Sequence, residues 1–80
     1  MTTEIISTRY KGVKLQAIGS CGCKYTITCI TNEGKQWYTG ESTVKEANEY
    51  FAKHEEIRKA VLYIYHRKKR TFEVRKYYER

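Results

Sequence analysis

The stretch KYTITCITNEGKQWYTG, Lys24 to Gly40, constrains the chain more than any other. Its strict alternation puts Tyr25, Ile27 and Cys29 on one side of a strand and Thr26, Thr28 and Ile30 on the other. TNEG follows as a hairpin turn in which Gly34 suits a left-handed backbone. KQWYTG then returns as the partner strand. Such a hairpin needs a cover for its apolar side, and the next segment, STVKEANEYFAKHEEIRKA, supplies one. Thr43 followed three residues later by Glu46 matches a capping box, in which each side chain bonds the other's backbone N–H. Val44, Ala47, Phe51, His54, Ile57 and Val61 recur at spacings of three or four and form one apolar stripe, with Glu and Lys opposite. The pattern predicts a helix over 43–60.

The flanks read as further strands. EIISTRYKGVKLQAIG, Glu4 to Gly19, is rich in β-branched and Tyr residues, and is either one bent strand or a hairpin turning near Lys11-Gly12. VLYIY and TFEVRKYY, further on, both alternate, and Lys68-Lys69 can form the turn between them. No Gly or Asn stands there to accept a positive φ, so a helix running on through Arg70 is the rival. Its apolar stripe would fail near Lys68, which favours the hairpin. In that hairpin Leu62, Ile64, Phe72 and Val74 are expected to face the helix, packed on Phe51 and Ile57. Tyr63, Tyr65, Arg67, Arg75 and Tyr77 are expected to face outward. The 80 residues contain no Pro, and no repeat or low-complexity linker divides them. They predict one α+β domain, an antiparallel sheet of four to six strands with a single helix packed on one face.

Charge narrows the function. Residues 1–57 carry seven Lys or Arg and seven Glu, whereas residues 58–80 carry nine Lys or Arg against only Glu73 and Glu79. The whole formal excess of +7 therefore lies in the last part of the chain. A local field of one sign attracts polyanions, so nucleic acid or the acidic face of a protein is the expected partner, with DNA ahead of RNA. Lys and Arg neutralise phosphates, and Tyr rings offer bases a flat face. The residues expected to make contact are Tyr63, Tyr65, Arg67, Lys68, Lys69, Arg70, Arg75, Lys76 and Tyr77. The bland alternative is a solvated charged edge. No apolar run approaches the roughly 18 residues of a membrane span, and MTTEIISTRYKG lacks the apolar centre of a signal peptide, so the chain reads as cytoplasmic with no membrane partner.

Chemistry finds little footing. Three Cys make an odd count, which argues against a disulfide framework. Cys21 and Cys23 are closer than zinc pairs usually are, and His54 and His66 are the only histidines to complete a set. The thiols read as incidental to a tight turn at Gly22 and to a half-buried Cys29. His54 lies on the helix stripe, and His66, beside Arg67, belongs to the basic surface. There is no Asp, and no nucleophile with a base and an orienting group can be assembled. A non-catalytic binding role is expected, without metal or cofactor.

YKGV (Tyr10 to Val13), NEGKQWYTG (Asn32 to Gly40) and STVKEANEY (Ser42 to Tyr50) together resemble the small DNA-binding domain of the AP2 type and the similar arm-binding domains of phage integrases. The resemblance covers about half the chain. It implies a three-stranded antiparallel sheet, backed by one helix and laid in the major groove. By position it makes Lys11, Lys14, Lys35 and Trp37 contacting residues. The chain departs from that pattern at GSCGC, which replaces a short strand connection, and in having its positive charge outside the matched region. In size and style the chain also resembles small phage-encoded inhibitors such as anti-CRISPR proteins, which implies an inhibitor acting on a host nucleic-acid-handling complex. A phage or mobile-element origin follows from either resemblance.

Overall fold

The computed structural model describes residues 7–17, 24–66 and 68–80. Cys21, Cys23 and Arg67 lie outside them. The described chain forms β1 (Ser7–Tyr10), β2 (Val13–Gln16), β3 (Tyr25–Thr31), β4 (Gln36–Glu41), α1 (Val44–Lys53), β5 (Ile57–His66) and β6 (Thr71–Glu79). Among the described residues β1 and β2 pair only with each other, while the other four make an antiparallel sheet in the order β4-β3-β5-β6. The fold is α+β and mostly β.

Local chemistry explains the turns. Tyr10 pairs with Val13 across Lys11 and Gly12, whose φ values are 49° and 85°. Two successive positive φ values give the mirror-image turn whose twist matches a hairpin, so the Lys11-Gly12 alternative is the one adopted. Gly34 takes φ 87° at the β3–β4 turn, where its N–H donates to Thr31 O at 3.0 Å. In the β5–β6 turn Arg70 itself adopts φ 54°, so the hairpin closes without Gly or Asn. A left-handed non-glycine residue costs about 1–2 kcal/mol, which the long β5–β6 ladder outweighs.

The helix is shorter than the stripe predicts. It starts as expected, with Thr43 Oγ1 accepting from Glu46 N–H at 3.1 Å, but its last residue is Lys53 and His54 is the cap. Ile57 and Val61 belong to β5 instead. The reason lies in the run Ala60-Val61-Leu62-Tyr63, which is buried throughout. One helical stripe cannot bury four successive residues, whereas a central strand covered on both faces can. Arg80 secures the junction: its guanidinium donates to the carbonyls of Phe51, His54 and Ile57 and lies 4.1 Å from the Phe51 ring centre.

Both faces of the sheet are covered, which makes three layers. Tyr25, Ile27, Cys29, Ile57, Ala60, Leu62 and Tyr78 pack with Ala47 of the helix, and Phe51 and Ile64 border this cluster. Val61 and Tyr63 pack on the opposite face with Val13 and Leu15 of the β1–β2 hairpin. Phe72 and Val74 join this second cluster and do not face the helix. Direct cross-strand partners share a face, and the register pairs Tyr65 with Phe72 and Tyr63 with Val74. A register shift between Leu62 and Tyr63 then returns Tyr78 to the helix side.

Burial pushes the Cys29 thiol from 9.0 up to about 12, with Glu41 and Glu56 adding to the effect. The folded state therefore keeps this proton over a range where the unfolded chain loses it. Stability is intact below pH 9 and falls as pH climbs from 9 toward 12. Urea midpoints measured across this range are expected to drop less steeply in Cys29→Ala than in the parent. Parallel pH profiles for the two proteins would show that the thiol does not carry the effect.

Candidate nucleic-acid interface

The β1–β2 hairpin spans the width of the sheet. At its turn Lys11 Nζ sits 4.7 Å from the ring centre of Tyr77 in edge strand β6, and Tyr10 meets Tyr77 edge-on at 5.9 Å. Toward the other edge the Lys14 carbonyl accepts from Gln36 Nε2 at 2.7 Å and from the Tyr38 hydroxyl at 3.2 Å, both on β4. Tyr63, at 0 % exposure, clamps the middle. Its hydroxyl donates to Gln16 O at 2.7 Å and accepts from Gln16 N–H at 3.3 Å.

Alternation decides what this layer shows to solvent. Val13 and Leu15 point into the sheet, so Lys14 points out, and the register sets Arg9 directly opposite it. Arg9, Lys11 and Lys14 are all exposed. The segment Ser7–Gln16 has no acidic residue, and among the described residues no carboxylate lies within ion-pair reach of these three cations. The helix and the turn after it carry Glu46, Glu49, Glu55 and Glu56. Among the described residues, folding thus sorts these charges into a basic hairpin layer and a more acidic helix layer.

The described residues among those expected at the C-terminal surface do not form one patch. Tyr63 does not face outward, because the β1–β2 hairpin covers it. Tyr65 is half-buried, 5.0 Å from Phe72 between ring centres. Lys68, Lys69 and Arg70 stand exposed at the β5–β6 turn. Arg75 bonds Glu73 at 3.3 Å. Lys76 is turned to the helix layer, donating to Asn48 Oδ1 at 3.0 Å and lying over the Tyr78 ring. Of the described residues in this set, Tyr77 alone joins the hairpin cations. Loss of water, with Glu79 nearby, raises its hydroxyl above the ordinary value. Lys35 is exposed beside the β3–β4 turn, and Trp37 packs against the helix-side core with its Nε1–H donating to the Tyr50 hydroxyl at 2.9 Å. Tyr10 to Gln16 lie in the two-stranded sheet, and Gln36 to Glu41 in the four-stranded one. Arg9 was not among the expected residues. The Lys11-Gly12 turn held the signal for it, since a two-residue loop there makes Arg9 and Lys14 cross-strand partners.

His66 Nε2 lies 3.4 Å from Glu73 Oε1, and His54 Nδ1 lies 2.9 Å from Tyr50 O. Among the described residues no group of three or more His, Cys or Glu side chains could hold a metal ion, and no helix is long and apolar enough to cross a membrane. No protein-family model matches the chain, and no curated protein or solved structure matches it.

Proposed function

We propose that the chain is a non-catalytic nucleic-acid-binding module whose principal contact surface is the β1–β2 hairpin, with the β5–β6 turn as a second set of cations. The observation that carries this reading is the exposed cross-strand pair Arg9 and Lys14, with Lys11 at the adjoining turn. Like charges directly opposite one another destabilise a ladder. A polyanion turns that repulsion into attraction, since each phosphate neutralised releases condensed counterions. Lys68, Lys69 and Arg70 extend the same sign of charge along β5–β6, and the Tyr10–Tyr77 pair gives the hairpin an aromatic flank.

The test is a titration of labelled DNA and RNA at several salt concentrations. The affinity is expected to fall linearly on a log–log plot, with a slope of about −0.7 to −0.9 for each phosphate contacted. Absence of binding to duplex, single-stranded DNA and RNA at low salt would overturn the reading. It would leave the basic layer to the acidic face of a protein, as in an inhibitor of a host complex.

A further inference from the structure

The basic hairpin and Trp37 lie on opposite faces of the sheet, connected around edge strand β4. Gln36, whose side chain holds the Lys14 carbonyl, is the neighbour of Lys35. Lys35 in turn lines a cleft of about 400 Å³ together with Thr31, Trp37, Tyr50, His54 and Glu56. That volume falls within the roughly 300–1,000 Å³ of small-ligand sites. Three of its lining side chains are aromatic. Two of these already form a stack, with the Tyr50 and His54 ring centres 4.1 Å apart and the planes 27° from parallel.

We propose that this cleft takes an unpaired nucleobase, so that the chain binds single-stranded nucleic acid in preference to duplex. The proposal rests on the nucleic-acid reading above and specifies its substrate. A duplex hides the faces of its bases, whereas a single strand can splay one out to stack on aromatic rings. Lys35 meets the phosphate of the inserted nucleotide. Glu56 accepts a hydrogen bond from an exocyclic amino group, which favours adenine, cytosine or guanine over thymine or uracil. Arg9 and Lys14, on the far side of β4, hold neighbouring phosphates as the strand passes over the edge.

Trp37 is the only tryptophan, so its emission reports on the cleft directly. The experiment titrates the full chain with an oligodeoxyadenylate of about 12 nucleotides and with a duplex of equal length. It follows Trp37 emission together with the anisotropy of a labelled strand. The proposal expects a rise in anisotropy with quenching of Trp37 for the single strand, and weaker binding without quenching for the duplex. In Lys35→Gln the single strand is expected to bind about fivefold more weakly, while the duplex is unaffected. Binding seen by anisotropy with unchanged Trp37 emission would overturn the cleft proposal and leave the hairpin reading standing. Equal quenching by both probes would overturn the preference for single strands. No anisotropy change with either probe would overturn the function and the cleft together.

Discussion

Tyr63→Ala is expected to lower stability by about 3–5 kcal/mol, the usual range for truncating a buried aromatic ring. That is a large part of the roughly 5–15 kcal/mol available to a small domain. Tyr63 is fully buried in β5, the central strand that contacts both β3 and β6, and its ring fills the space between the sheet and the β1–β2 hairpin. Truncation removes contacts with Val13, Leu15 and Val61 and also leaves the backbone of Gln16 without its partner. Tyr63→Phe separates these effects. It keeps the ring, loses the hydroxyl, and is expected to cost about 1–3 kcal/mol, the penalty of an unsatisfied buried group. Urea unfolding measures both variants, and hydrogen exchange at the Gln16 amide is expected to quicken in Tyr63→Phe before any other site. A Tyr63→Ala protein with the parent's unfolding midpoint would contradict the three-layer packing.

Joint replacement of Arg9, Lys11 and Lys14 by Gln is expected to weaken nucleic-acid binding by about 100-fold at low salt, taking about 1 kcal/mol for each contact. The log–log salt slope is expected to become shallower by about 2–3, because three fewer counterions are released. Stability is expected to stay near the parent's. Removing the repulsion between Arg9 and Lys14 offsets the lost contact of Lys11 with the Tyr77 ring, worth about 0.5–1 kcal/mol at an exposed site. The control replaces Lys45 and Lys53 by Gln on the helix layer, where binding is expected to be unchanged. Equal losses in the two variants would mean that net charge, and not the hairpin, governs affinity.

Much of this architecture is legible in the residues. Gly34 marks the β3–β4 turn, Thr43 and Glu46 mark the start of the helix, and the alternation from Tyr25 to Ile30 sorts side chains as the sheet does. These are local features, settled by backbone sterics and by hydrogen bonds a few residues long. The end of the helix is less legible, because Ile57 and Val61 fit a helical stripe and a strand equally well. The β5 ladders, with β3 on one side and β6 on the other, decide between them.

The sequence by itself determined the β3–β4 hairpin with its Gly34 turn, the capped helix start and the excess of positive charge. Only the tertiary structure decided where that charge acts. Arg9, Lys11 and Lys14 are balanced along the chain by glutamates of the helix region, yet packing places the two groups on opposite layers of the sheet. Tyr63 has the composition of a contact residue and becomes a core residue because the hairpin lies over it. The physical reason is common to both cases. Pairing register and layer order depend on contacts between residues far apart in sequence, and a local pattern states which side chains share a face but not what will cover that face.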